Sequence, residues 1–259
     1  MVQRREKARK AQKDDTPICL LDYMMQSELY TKNPNKVIGD LVIALIAAGD
    51  TAIFAIIIAL CFLIPSKKWT GRIEEETIKV MKEKGIADVL TMGHKDIKRT
   101  DFVNTWCVIK ESLRINPPAP ITDEYTITRD CKAGFVDFKK GTHIMFYPYG
   151  AHRDPTQWTE PEKFMPERFE TEHELYKTPD GQERNELAYI PFSFGGRNCV
   201  GAQFAKTVMP SLISKTCVLF NMKYVDPKEK IDMENHKLPI ASIFQSYHIP
   251  INVNITLKN

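Results

Sequence analysis

The amino-acid sequence predicts a mainly α-helical fold with a small β subdomain. Residues 41–64 form an apolar run that is too long for a single strand. Two later segments, 73–84 and 102–115, end at the helix-stopping residues Gly85 and Asn116-Pro117-Pro118. Short β patterns lie between residues 125 and 146 and are separated by turn residues, which indicates a small sheet.

The N-terminal segments are predicted to be helical. Residues 1–16 are a charged run, which is typical of a solvated helix. Residues 18–29 fit a short amphipathic helix that ends before Pro34, because apolar residues recur at spacings of three and four. These apolar residues are Leu21, Met24, Met25 and Leu29.

The apolar run at 41–64, in which Asp50 is the sole charge, predicts one long helix at 37–64. About 20 apolar residues suffice to cross a bilayer, so the run is long enough to span a membrane. It fits the buried central helix of a large helical protein equally well, because a helix that is apolar on all sides is one or the other. The run by itself leaves both interpretations open.

The rest of the chain alternates short strands with irregular and helical segments. The pattern predicts an irregular, proline-rich and polar surface segment at 148–186, a further helix at 200–225 and a hairpin at 227–259. The predicted strands before these segments are 125–128, 135–138 and 143–146.

Composition, charge and cysteine usage exclude several classes of protein. Apolar residues make up 43% and charged residues 27% of the 259 residues, which excludes a disordered chain, a collagen-like fibre and a polytopic membrane protein. A net charge of +3 is too small to indicate a nucleic-acid partner. The six cysteines form no C-x-x-C pair, which excludes zinc-finger, thioredoxin and c-type haem-attachment motifs and indicates reduced thiols in a cytosol-facing protein.

The strongest motif is the segment 192–201, with the sequence FSFGGRNCVG. Gly195 and the glycine after it allow a tight turn that brings backbone close to a ligand. Cys199 stands at the start of an apolar helix, where free N–H groups stabilise a thiolate. Gly201 leaves room for a flat macrocycle, and Arg197 could pair with a carboxylate. The alternative is a glycine-rich turn with a buried cysteine.

The pattern F-x-x-G-x-R-x-C-x-G resembles the haem-thiolate loop of the cytochrome P450 superfamily, which often also has alanine at the place of Ala205. The resemblance implies that Cys199 is the protein ligand of haem iron, where a thiolate favours O–O cleavage. It further implies that the haem site includes Phe192, Gly195, Arg197 and Gly201.

Two further motifs resemble the same family. Glu111 and Arg114 match E-x-x-R on one helix face, and Arg168 lies in a P-E-R-F motif that follows His152-Arg153-Asp154-Pro155. The charged run at 6–9 also matches E-x-x-R, but the later copy precedes Asn116-Pro117-Pro118. The resemblance implies that Glu111, Arg114 and Arg168 form a buried structural network.

Residues 47–51, with the sequence AAGDT, resemble the oxygen-activation stretch of the family's long central helix. The resemblance implies that Asp50 and Thr51 are catalytic residues that relay protons; a polar helix patch packed against its neighbours is the alternative. It also favours a central helix over a membrane span for this run. Ala48 departs from the family's usual glycine. Tyr125 stands where the family often has an arginine for a haem propionate, so that contact is expected from Arg197.

The resemblance implies that the chain is the C-terminal portion of a cytochrome P450 fold, with its long central helix at 37–64 and its cysteine haem loop at 192–201. We expect residues 1–259 to be a single partial domain that lacks the N-terminal half and the membrane anchor. The implied activity is a haem b monooxygenase that inserts one oxygen atom from O2 into a small apolar substrate, with electrons from an NADPH-dependent reductase.

We expect a full-length form at the cytosolic face of the endoplasmic reticulum, although this chain shows neither an anchor nor a signal peptide. One alternative is a non-catalytic, truncated remnant of such an enzyme. Another is a single-pass membrane protein with a soluble domain. The cysteine loop favours the haem enzyme over the single-pass membrane protein.

Overall fold

The computed structural model describes residues 17, 19–226 and 252–258. Within this part of the chain, helices dominate and the strands form three small antiparallel sheets of two strands each, which confirms the predicted mainly helical class. The predicted helix at 1–16 and most of the predicted hairpin at 227–259 lie outside the described residues. The chain divides into two compact units, one up to Asp50 and one from Thr51.

The first unit contains helices α1, Leu20–Gln26, and α2, Glu28–Thr31, followed by the beginning of helix α3. Leu21, Met24 and Val37 form its small apolar cluster. The single helix predicted at 18–29 is therefore wrong in detail. Ser27 has extended backbone (φ −82°, ψ 131°), so it separates α1 from α2.

Helix α3, Pro34–Leu63, begins three residues before the predicted helix and ends one residue earlier. By length and composition, residues 35–63 could cross a membrane, and 22% of their most apolar stretch is buried within the protein. Burial is concentrated in the second unit, where most of the helix circumference is covered and Ile53 and Ile57 are the exposed large apolar side chains. Its buried apolar residues there are Phe54, Ala55, Ile56, Ile58, Ala59, Cys61, Phe62 and Leu63.

The second unit has a helical core built by the end of α3 and by helices α4, Lys67–Lys84, α5, Val103–Ile115, and α7, Ala202–Leu219. Helix α4 begins six residues earlier than the predicted helix at 73–84, because Trp69 is buried one turn before Ile73 and anchors that first turn. Gly85 ends it in the left-handed region with φ 66°.

The strands pair in three separate ladders. Strand β1, Tyr125–Thr126, pairs with β4, His143–Ile144, and β2, Cys131–Ala133, pairs with β3, Val136–Phe138. Strand β5, Phe220–Tyr224, pairs with β6, Val253–Leu257.

The predicted helix at 200–225 is wrong at its C-terminal end, because α7 stops at Leu219. The next five residues alternate between half-buried and exposed, as a strand with one covered face requires.

The segment 148–186 is irregular, as the sequence predicts. It holds the short helix α6, Pro148–Ala151, and 3-10 turns at Pro166–Phe169 and Glu174–Tyr176. Trp158 is fully buried within this segment and its Nε1 donates to the Ala151 carbonyl at 3.3 Å. The segment therefore carries part of the core although it has little regular structure.

Candidate active site

The cysteine loop, residues 192–201, is shaped by backbone hydrogen bonds. The Cys199 N–H donates to the Phe192 carbonyl at 2.9 Å, which closes the loop, and the Asn198 N–H donates to the Gly195 carbonyl at 3.2 Å. Ser193 and Gly195 adopt the left-handed region with φ values of 60° and 72°. Gly195 meets this requirement without strain, whereas Ser193 must be held in place by its surroundings.

Cys199 presents its thiol at the surface just before helix α7. Its carbonyl accepts from the Ala202 N–H at 3.3 Å, so the cysteine forms the entry to the helix. A Cβ atom added at Gly201 would lie 3.7 Å from the Cys199 Sγ. Glycine at this position therefore keeps one side of the sulfur uncovered.

The donor set and its surroundings fit a haem held by one thiolate. Val200 is fully exposed and Phe204 is 58% exposed, so the residues that follow Cys199 expose apolar surface. The Phe194 ring meets the Phe146 ring edge-on with centroids 5.1 Å apart. The described residues hold no group of three or more His, Cys, Asp or Glu side chains suited to a metal ion. A porphyrin supplies four nitrogen ligands to the iron, so a single cysteine is sufficient as the protein ligand.

The structure brings Glu111, Arg114 and Arg168 together in a fully buried ion-pair network. Arg114 is bidentate on Glu111, with Nε 2.8 Å from Oε2 and Nη2 2.8 Å from Oε1. The Arg168 Nε donates to the same Oε1 at 3.1 Å, and the Met165 N–H reaches it at 2.8 Å. One carboxylate thus holds two guanidinium groups and the start of the P-E-R-F turn in fixed positions.

Backbone carbonyls satisfy the remaining donors of the two arginines. Arg114 Nη1 donates to the Pro161 carbonyl at 2.7 Å, and Arg168 Nη2 donates to the Glu160 carbonyl at 2.8 Å. Burial lowers the pKa of Arg168, and the Glu111 carboxylate opposes this effect. The network therefore joins helix α5 to the irregular segment 148–186.

His152 is a buried member of this neighbourhood whose role the sequence did not reveal. Its Nδ1 lies 3.2 Å from the Arg114 carbonyl oxygen, and its Nε2 accepts from the Ile190 N–H at 2.9 Å. Burial and, to a smaller extent, the positive charge of Arg114 lower the pKa of His152 to about 3. The sequence marks His152 only as a neighbour of the P-E-R-F motif, since its two partners are distant along the chain.

Asp50 and Thr51 lie next to each other on helix α3, with Asp50 exposed and Thr51 half-buried. Asp50 belongs to the first unit and Thr51 to the second. A Cβ atom added at Gly49 would meet nothing within 4 Å, so the helix surface at Gly49 is open. Gly49 directly follows Ala48, the residue that departs from the family's usual glycine. Arg197 and Phe192 lie on the cysteine loop, Arg197 exposed and Phe192 half-buried.

Comparison with known proteins identifies extensive similarity to one family. The family model for cytochrome P450 matches residues 1–250. The chain is 36% identical over 198 residues to "Probable cytochrome P450 4d21" of Drosophila melanogaster, a match that covers 76% of this chain and 36% of that protein. It is 35% identical over 150 residues to "Cytochrome P450 4V2" of Rattus norvegicus, which covers 54% of this chain and 27% of the rat protein.

A plant relative extends the match along the chain. The similarity to "Phenylacetaldehyde oxime monooxygenase CYP71AN24" of Prunus mume is 30% identity over 223 residues, which is 85% of this chain and 38% of the plant protein. The matched region therefore spans well under half the length of each of these three relatives.

Proposed function

Because the chain belongs to the cytochrome P450 family, a family of haem-dependent monooxygenases, we propose that it carries the haem-thiolate site of such an enzyme, with Cys199 as the only protein ligand of the iron. The observation that supports this proposal is the exposed thiol of Cys199, which lies near the end of a loop closed by main-chain hydrogen bonds. When bound, haem b would use electrons from an NADPH-dependent reductase to insert one atom of O2 into a small apolar substrate.

The cysteine loop has three tasks in this proposal. The thiol of Cys199 lies just before the first turn of α7 and would bind the iron as the thiolate. Val200, Phe204 and Phe192 offer apolar surface to the macrocycle, and Gly195 and Gly201 keep side chains out of its way. The exposed Arg197 guanidinium binds a haem propionate.

Asp50 and Thr51 are the proposed proton-relay residues. A carboxylate and a hydroxyl on consecutive positions of α3 can exchange protons with solvent and pass them towards a substrate site. Glu111, Arg114 and Arg168 have the different role of fixing the core, because all three side chains are fully buried and bonded to one another. For the full-length form we propose a location at the cytosolic face of the endoplasmic reticulum.

The test is a haem titration of residues 1–259 followed by the ferrous carbon monoxide spectrum. We expect the band that is typical of thiolate ligation, and we expect Cys199→Ser to abolish it, because a neutral hydroxyl is a poor ligand for the iron. Cys131→Ser is the matched control, since Cys131 is another exposed free cysteine. A band that survives in Cys199→Ser, or that Cys131→Ser also removes, contradicts the proposal.

A further inference from the structure

His152 is completely buried between the Glu111–Arg114 ion pair and the segment that leads into the cysteine loop. The contact with Arg114 is reciprocal. The Arg114 Nη1 donates to the His152 carbonyl at 2.9 Å, and the His152 ring faces the Arg114 carbonyl with Nδ1 at 3.2 Å. The ring is therefore held by the same residue that anchors the buried network.

The hydrogen bonds of His152 define its tautomer. The Ile190 N–H can only donate, so the Nε2 atom at 2.9 Å must accept with its lone pair. Nδ1 then carries the proton of the neutral imidazole and donates to the Arg114 carbonyl. The opposite tautomer would place two donors against each other at Ile190 and two acceptors against each other at Arg114. A ring turned over would present carbon atoms to both partners, so the two bonds fix one tautomer and one orientation.

A short run of main-chain bonds connects Ile190 to Cys199. The Ile190 carbonyl accepts from the Ser193 N–H at 3.0 Å, and the Phe192 carbonyl accepts from the Cys199 N–H at 2.9 Å. Ser193 is the residue of the loop that adopts a positive φ without being glycine. Such a conformation persists only where the surroundings hold it, and the bond at Ile190 secures the backbone on its N-terminal side.

We propose that His152 is a positioning residue that fixes the entry of the cysteine loop to the Glu111–Arg114 network through the Ile190 N–H, and so sets the direction in which Cys199 presents its sulfur. The role of that sulfur as the haem ligand rests on the proposed function. The positioning of the loop does not, because every bond in the connection is made by the chain itself.

Two substitutions separate the two ring nitrogens. His152→Gln places an amide oxygen near the position of Nε2, so it can still accept from the Ile190 N–H. His152→Asn places its amide near Nδ1, so it can still donate to the Arg114 carbonyl but leaves Ile190 unbonded. Both variants lose the imidazole ring and one of its two hydrogen bonds. An effect caused only by the loss of ring packing should therefore be similar in the two variants.

The first readout is amide hydrogen exchange in the haem-free chain, kept in non-ionic detergent. We expect His152→Asn to accelerate exchange at the Ile190 and Cys199 amides by about three- to tenfold, the equivalent of one hydrogen bond, and His152→Gln to stay near wild type. The Lys140 amide, which donates to Asp130 at 2.8 Å in the distant hairpin, is the internal control. Equal exchange at Cys199 in the two variants overturns the proposal.

The second readout is spectroscopic. At equal haem content, His152→Asn should lower the fraction of the ferrous carbon monoxide complex with the thiolate-type band, and His152→Gln should retain it. The Cys199→Ser variant tests the proposed haem ligation, whereas the exchange experiment on the haem-free chain tests the positioning role of His152. A failure of the proposed function can therefore be distinguished from a failure of the positioning role.

The wild-type chain provides a test that needs no folded variant. The nitrogen chemical shifts of the labelled His152 ring report its tautomer, and we expect a protonated Nδ1 and an unprotonated Nε2. A ring protonated on Nε2 cannot accept from Ile190 and overturns the proposal even if both variants fail to fold.

Discussion

At the scale of single residues, a buried charged network centred on Glu111 holds helix α5 to the irregular segment 148–186. Glu111 is fully buried, and its two oxygens meet Arg114, Arg168 and a backbone N–H. Removing one partner from a buried pair leaves an uncompensated charge at a cost of about 3–5 kcal/mol. Glu111, Arg114 and Arg168 therefore stabilise the folded unit. The thiol of Cys199, in contrast, is exposed at the surface.

The low pKa of His152 predicts a specific pH dependence of stability. Burial and the charges of Arg114 and Arg153 hold the folded-state pKa at about 3, below the ordinary value of 6.5, while the Arg114 carbonyl acts in the opposite direction. The unfolded chain therefore binds one more proton than the folded chain between these pH values. His152 should lower the free energy of unfolding by about 1.4 kcal/mol for each pH unit as the pH falls from about 6 towards 3.

The measurement is urea unfolding of the wild type and His152→Gln across this pH range. The stability of the variant should fall less steeply on acidification, since glutamine does not titrate. His94→Gln removes an exposed histidine and serves as the control for the loss of a histidine outside the buried network. Parallel curves for the wild type and His152→Gln would show that His152 is already charged in the folded chain.

The sequence predicts chemistry at single residues where a motif is contiguous. Cys199 and its glycines stand within ten residues, so spacing alone singles out the loop. The roles of His152 and Ile190 could not be predicted, because their bond joins residues that are far apart along the chain and one partner is a backbone N–H that every residue type carries. The roles of Asp50, Thr51 and the loop residues towards haem stay predictions.

At the scale of elements, helix α5 depends on a side chain from its neighbour for its N-terminal cap. Phe102 at the N-cap position offers no capping group, and Glu76 from α4 takes over. Its two oxygens accept from the Asn104 N–H at 2.6 Å and the Thr105 N–H at 3.1 Å. The carboxylate satisfies free donors of the first turn and places negative charge at the positive end of the helix.

Glu76→Ala should therefore destabilise the protein more than an ordinary surface substitution does. We expect a loss of about 1–3 kcal/mol in the free energy of unfolding, because two backbone donors lose their acceptors in a half-buried place. Glu83→Ala, at an exposed position of the same helix, should change stability by less than about 0.5 kcal/mol. Chemical denaturation measures the free energy of unfolding of both variants. Equal losses of stability in Glu76→Ala and Glu83→Ala would contradict the capping role of Glu76.

Helices with strong local signals were predicted well and the late strand was not. Residues 102–115 carry their own stop signal, and the observed helix is Val103–Ile115. Strand β5, Phe220–Tyr224, follows a helix without a break in apolar pattern, and its conformation is set by pairing with Val253–Leu257. Because this partner strand is distant along the chain, the local sequence around β5 does not indicate the pairing. The sequence pattern therefore predicts a helix that continues through residues 220–225.

At the scale of the whole molecule, helix α3 carries apolar surface that the described residues, 17, 19–226 and 252–258, leave uncovered. Ile43 is 65% exposed, Leu45 is 75% exposed and Ile46 is 58% exposed. The sequence predicted the helix from its apolar composition, but composition could not tell which residues of it are covered, because that depends on what packs against each turn. Contiguous exposed apolar surface of more than a few hundred Å² is uncommon on soluble monomers and marks an interaction site or an aggregation hazard.

Residues 1–259 should therefore self-associate in aqueous buffer and become monomeric in non-ionic detergent. Sedimentation over a range of concentrations measures this. Ile43→Lys combined with Ile46→Lys places two charges on one face of α3, one turn apart, and should shift the chain towards monomer without detergent. Ile78→Lys combined with Leu90→Lys adds the same charge at exposed apolar positions elsewhere and should leave the association in place. A monomeric wild-type chain, or equal relief by both double variants, would show that the apolar face of α3 does not drive association.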